Sequence, residues 1–72
     1  MVLELDLRGI PCPLSWARAK VRLESLERGD HLTLLLDDAR AVRDIPRAAE
    51  AEGYAVGEPE TKGTDWRLTI TV

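Results

Sequence analysis

Strand-like alternation interleaved with helical stripes predicts an α+β fold, a two-layer α/β sandwich in the order β-α-β-α-β-β. Three observations carry that expectation. Leu3, Leu5 and Leu7 alternate with Glu4 and Asp6 near the start of the chain. Trp16, Ala19, Leu23 and Leu26 recur at steps of three and four. Trp66, Leu68, Ile70 and Val72 alternate with Arg67, Thr69 and Thr71 at the other end. Two helices cannot cover both faces of so small a sheet, so both are expected on one face.

The first strand is expected over residues 2–7, with its leucines on the buried face and its acids outward. Arg8-Gly9-Ile10-Pro11 breaks it. Cys12-Pro13 then opens a helix running to about Glu27, because proline suits a first helical position whose N–H is unpaired anyway. Cys12 is thereby placed at the N-cap. The stripe from Trp16 to Leu26 faces the core, and Leu14, Ala17 and Val21 form a weaker second stripe. Gly29 suits a helix stop. His31–Leu36 is leucine-dense and reads as a central strand. Asp37-Asp38 is a turn or cap signal, and residues 39–43 form a loose helical turn. Asp44-Ile45-Pro46 reads as a fresh helix start with Asp44 as the cap, the helix ending at Gly53 and packing through Ile45, Ala48, Ala49 and Glu52. A third strand is expected over residues 54–58, at an edge because of Pro59. Residues 61–64 form a hairpin loop, and the strand from Trp66 to Val72 closes the sheet.

With 72 residues, the chain is expected to form a single domain, residues 1–72. Apolar residues are 44% and charged residues 32%, a globular balance rather than a disordered one. The net charge of −3 argues against a dedicated nucleic-acid binder, which carries a basic excess. Glu4 and Asp6 interrupt any signal-peptide core, and no apolar run exceeds Leu34–Leu36, so a soluble, cytoplasmic protein is expected. A lone cysteine permits no internal disulfide, which fits a reducing compartment. One cysteine and one histidine cannot close a structural zinc site, so no metal is expected.

Cys12 admits two readings. A lone cysteine is often a small buried hydrophobe. At a helix N-terminus, however, free backbone N–H groups and the positive end of the helix dipole favour thiolate over thiol. Such sites lower the thiol from about 8.5 to roughly 3.5–7.5. Pro11 and Pro13 stiffen the loop on either side, and that context favours the activated reading. No Cys-x-x-Cys pair exists for a disulfide cycle. His31 has no sequence reason to meet Cys12 as a base, which leaves a Cys–His hydrolase weakly supported. A thiolate without base or resolving partner suits the transfer of a group from one partner to another.

The run Leu5-Asp6-x-x-Gly9-x-x-Cys12-Pro13 resembles the opening signature of the TusA/SirA-like sulfur-carrier family. Gly29-Asp30-x-Leu32, Asp37-Asp38, Arg43-Asp44-Ile45-Pro46 and Gly53 recur at that family's spacing. The likeness covers nearly the whole chain, from about Leu5 to Val72. It implies a mixed four-stranded sheet in the same sandwich, no cofactor, and sulfur carried as a persulfide on Cys12. The implied donor is a cysteine desulfurase or a rhodanese-like protein, and the implied receiver is a sulfur-acceptor protein. Implied destinations are tRNA thiolation, cofactor biosynthesis and sulfur metabolism. Neither nucleic-acid contact nor membrane insertion is implied, and a monomer is expected. The family motif is usually Cys-Pro-x-Pro; here Ser15 replaces the second proline, adding an N–H and a hydroxyl near the sulfur.

Around Cys12, Asp6 is expected to shape the loop by side-chain turn bonding, and Gly9 by a positive φ. Arg8 and Arg43 are candidate contacts for an anion or a partner, with a solvated arginine as the plain alternative. Asp44 is read first as a helix cap. Trp16 is read as core, with a docking anchor as the alternative. Arg18, Lys20 and Arg22 form a modest basic patch, or simply a solvated helix face. Two other functions stand beside the carrier. One is a non-catalytic adaptor or regulator of a sulfur-compound transporter or enzyme. The other is a nucleic-acid module, which fold analogy alone would support.

Overall fold

The computed structural model describes residues 2–11 and 13–72. The elements are β1 (Val2–Asp6), α1 (Leu14–Glu24), β2 (His31–Leu36), α2 (Ala39–Ala51), β3 (Ala55–Val56), β4 (Glu60–Lys62) and β5 (Asp65–Thr71). The sheet runs β1-β2-β5-β3, with β4 also on β5. β1 and β2 are parallel and the other pairings antiparallel, so the sheet is mixed. β2 is central, as its leucine content predicts.

The expected four strands become five. β3 lies opposite Ile70 and Thr71, and β4 opposite Asp65, Trp66 and Arg67, so both occupy the same edge of β5. The third strand, expected over residues 54–58, is confined to Ala55–Val56, and Glu60–Lys62 adds a strand beyond Pro59 that the sequence reading did not contain. Proline has no N–H for the ladder and is tolerated at such an edge, while Gly57 N still donates to Thr69 O at 2.9 Å. The expected hairpin loop at residues 61–64 tightens to a turn at Gly63-Thr64, because Glu60–Lys62 pairs with β5.

Both helices cover one face of the sheet. Leu32, Leu34 and Leu36 of β2 and Leu68 and Ile70 of β5 share that face and are fully buried. Ala19 and Leu23 of α1, and Ala41, Ile45 and Ala49 of α2, pack against them. Each fully buried leucine or isoleucine contributes about 1.5–3 kcal/mol relative to exposure. Lys20 Nζ joins Glu52 Oε1 at 3.0 Å and links the two helices at the surface. The opposite face is polar: Thr33 Oγ1 lies 3.1 Å from Thr69 Oγ1, and His31 Nδ1 lies 2.9 Å from Thr71 Oγ1.

Both helix boundaries differ from the sequence reading. α1 ends at Glu24, short of Glu27 and well before Gly29. Ser25 Oγ donates to Arg22 O at 2.7 Å, and Ser25 N and Leu26 N donate to Arg22 O and Leu23 O, so the last turn closes there. α2 begins at Ala39, and Asp44 is not its cap but lies inside it. Asp38 holds extended backbone, and its side chain accepts from Arg40 N at 2.8 Å. Pro46 therefore sits in the helix interior rather than at its start. The buried face of Ala41, Ile45 and Ala49 outweighs the penalty of an interior proline.

Candidate functional site

β1 ends where Asp6 folds back on the chain. Asp6 Oδ1 accepts from Arg8 N at 3.0 Å, a side-chain turn that stops the strand. The Arg8 guanidinium grips the same carboxylate, Nε to Oδ1 at 2.9 Å and Nη2 to Oδ2 at 2.8 Å. Its Nη1 reaches Asp65 Oδ2, at the start of β5, at 3.4 Å. The Arg8 side-chain bonds, followed by its backbone N–H, hold the Asp6 carboxyl down at about 2. Asp6 in turn raises Arg8 above the ordinary guanidinium range.

Beyond that turn the loop is held by β2 and the residue that follows it. Leu7 is buried, and its N–H donates to Leu35 O at 2.9 Å. Gly9 takes φ +80°, a conformation that L side chains rarely adopt. Gly9 N donates to both carboxylate oxygens of Asp37, at 3.1 and 3.0 Å. Ile10 N donates to Leu7 O at 3.2 Å, and its half-buried side chain packs against the core. Pro11 O accepts from Ser15 N, and Pro13 O from Ala17 N, each at 3.1 Å. Pro11, Pro13 and Leu14 are exposed.

Cys12, the expected N-cap and nucleophile, lies outside the described residues. The cap position falls one residue later than expected, at Pro13, with φ −92°, ψ 3° and no side-chain cap. Position 12 thus precedes an eleven-residue helix that has no acid in its first turn. No acid of that first turn offsets the positive end of the helix dipole.

Ser15 occupies an unexpected environment. It is fully buried, on the same face as Ala19 and Leu23, and its Oγ has no hydrogen-bond partner among the described residues. Arg43 and Asp44 lie on α2, not in a loop, and pair with each other, Nε to Oδ1 at 3.0 Å. That contact foremost holds the Asp44 carboxyl below its usual range. Arg8, by contrast, binds Asp6 and Asp65, so the two arginines named as candidates serve separate ion pairs. Trp16 is half-buried against the core. The sequence reading missed Asp37 as a loop anchor. The Asp37-Asp38 pair signals a turn, but nothing local distinguishes the acid that caps α2 from the one that reaches back to Gly9.

Among the described residues no three His, Cys, Asp or Glu side chains converge as metal ligands. No helix of the described residues is long and apolar enough to cross a membrane. The family model for sulfurtransferase TusA matches residues 3–72. The chain belongs to the TusA family. Among its TusA-family relatives, the sulfur carrier protein TusA of Allochromatium vinosum is 31% identical over 93% of this chain and 88% of its own length. A protein of Archaeoglobus fulgidus with a provisional sulfur-carrier name is 39% identical over 92% of this chain and 76% of its own. The crystal structure of a SirA-like protein from Desulfitobacterium hafniense superposes with a TM-score of 0.84 at 28% identity, covering 97% of this chain and 96% of that one. The mixed sheet with both helices on one face is thus the TusA-family fold.

Proposed function

We propose that this TusA-family chain is a sulfur carrier that holds sulfane sulfur as a persulfide on Cys12. The observation that carries the reading is the family match over residues 3–72, which includes the Cys12-Pro13 pair at the head of α1. Relatives named as sulfur carriers support it. Physical chemistry agrees with it: an anionic sulfur is favoured at a helix N-terminus free of acids, and thiolate is the nucleophilic form.

In the first step the Cys12 thiolate attacks the outer sulfur of a donor persulfide. The donor's S–S bond breaks, the donor leaves as a thiolate, and a Cys12 S–S bond forms. The outer sulfur keeps its proton, and no external oxidant or reductant is consumed. In the second step an acceptor thiolate attacks the outer sulfur and releases Cys12 as a thiolate. The donor is a cysteine desulfurase or rhodanese-like protein. The acceptor is a protein of tRNA thiolation, cofactor biosynthesis or sulfur metabolism, reached in the cytoplasm.

Incubation of the reduced protein with a cysteine desulfurase and cysteine, followed by an intact mass without reductant, tests the reading. A gain of one sulfur atom, reversed by reductant and absent from Cys12→Ser, is expected. Retained loading on the serine variant overturns it. So does an inert thiol that neither a desulfurase nor a rhodanese-like donor loads.

A further inference from the structure

One edge of the sheet is open. Among the described residues β1 pairs with β2 alone. In this parallel ladder Leu7 N donates to Leu35 O, and Asp6 stands opposite Leu35. Successive residues of a strand turn their amide groups to opposite sides, so Leu3, Leu5 and Leu7 bond toward β2. Glu4 and Asp6 therefore direct their backbone N–H and C=O groups off the edge. A bare strand edge is a template for another extended chain.

The space beside that edge has a composition of its own. An open groove of about 580 Å³ runs between β1 and α1, lined by Leu5, Ala17, Arg18, Val21, Arg22 and Ser25. Val21 is 69% exposed. The second apolar stripe of α1, Leu14, Ala17 and Val21, is thus exposed, and Ala17 and Val21 line the groove. Arg18 and Arg22 are exposed, and their guanidinium groups have no ion-pair partner among the described residues. The groove thus combines apolar Leu5, Ala17 and Val21 with cationic Arg18 and Arg22.

We propose that the β1 edge and this groove bind an extended segment of a partner protein, which adds to the sheet as a strand. On the groove side the segment carries apolar residues against Leu5 and Val21 and acids against Arg18 and Arg22. On the other side it faces Glu4, whose carboxylate lies 3.8 Å from Arg67 Nη2, and Asp6, held by Arg8. That side takes neutral or basic residues. Strand addition combines backbone bonds for affinity with alternate side-chain pockets for specificity. A second copy of this chain is a poor occupant. Edge-to-edge pairing of two β1 strands would set Glu4 and Asp6 against acids on one face and Arg18 and Arg22 against arginines on the other.

Selection from random peptides of about ten residues, displayed against the full chain, tests the proposal. Selected peptides are expected to alternate with period two, apolar and acidic residues sharing one phase. Binding is expected to slow amide exchange at Glu4 and Asp6. It weakens about tenfold or more on an R18E/R22E variant whose thermal melt is unchanged, and Val21→Asp provides a second variant at the exposed wall. N-methylation of alternate peptide amides abolishes binding, because it removes the ladder donors. Selected peptides that bind both variants as well as the parent overturn the proposal. So does the lack of any selected peptide that protects Glu4 and Asp6. Protection of those amides by raising the protein concentration alone overturns it in favour of a second copy.

Discussion

Gly9 and Asp37 are joined by a forked hydrogen bond, the Gly9 N–H donating to both carboxylate oxygens at 3.1 and 3.0 Å. The contact ties the β1–α1 loop to the end of β2, three residues before position 12. Gly9 can take φ +80° without strain, and that conformation accompanies the bond. Asp37→Ala removes the acceptor and leaves the loop held through Leu7 and Ile10. The expected cost is about 1 kcal/mol, the net worth of a typical hydrogen bond at an exposed site. Asp37→Asn keeps one acceptor oxygen and is expected to recover part of it. Chemical denaturation measures the stability, and the alkylation rate of Cys12 reports on the loop. Equal stability of wild type and Asp37→Ala would show that the bond contributes nothing in solution.

Acid titration is expected to separate Asp6 from the other carboxylates. Its folded value is about 2, depressed first by the Arg8 side chain, against an ordinary value of 3.8. A carboxyl depressed on folding stabilises the native state above its unfolded value. That contribution is lost as pH falls through the folded one. The window therefore runs from about pH 4 to about pH 2. Both side chains are about half exposed, so salt is expected to shrink the effect. In Arg8→Ala the Asp6 carboxyl should return toward its ordinary range, read by carbon NMR. An unchanged Asp6 midpoint would mean that Arg8 is not its partner.

How far the sequence could be read depends on whether a signal was local. Leucine alternation in β1, leucine density in β2 and the phase of Trp66, Leu68 and Ile70 are local, and the structure follows them. Pro59 marks an edge locally, but that Ala55–Val56 and Glu60–Lys62 are the residues that pair is decided by β5, which is distant in sequence. α2 shows the opposite case. Asp44-Ile45-Pro46 carries a sound local start signal, yet Asp38 caps the helix and the burial of Ala41 extends it upstream. At the candidate site, the Asp6 turn and the positive φ of Gly9 were legible. The reach of Arg8 to Asp65 and of Asp37 to Gly9 spans 57 and 28 residues, and no local pattern encodes either.

Ser15 is expected to be a liability rather than a support. Its buried Oγ has no partner among the described residues, and an unsatisfied buried hydroxyl costs free energy. Ser15→Ala should therefore be neutral or stabilising, by up to about 1 kcal/mol. Ser15→Pro restores the family's second proline but forfeits the 3.1 Å bond from Ser15 N to Pro11 O. Proline is tolerated in a first helical turn, so a loss of at most about 1 kcal/mol is expected, with persulfide loading retained. Thermal melts and intact mass check both variants. A clear loss of stability in Ser15→Ala would show that the hydroxyl is bonded.

Pro46 offers the opposite test, inside α2. An interior proline cannot donate to the carbonyl four residues earlier, that of Val42, and its ring crowds the same group. The penalty is about 3 kcal/mol against alanine in a free helix. Here α2 keeps its course because Ile45 and Ala49 on either side of Pro46 are fully buried. Pro46 is itself half-buried, so Pro46→Ala also removes some apolar contact, which offsets part of the gain. A net stabilisation of about 1–2 kcal/mol is expected. Denaturant unfolding measures it, and amide exchange at residue 46 shows whether the restored N–H is protected. A destabilised variant with a protected amide would mean that the ring's packing, rather than helix continuity, dominates at this position.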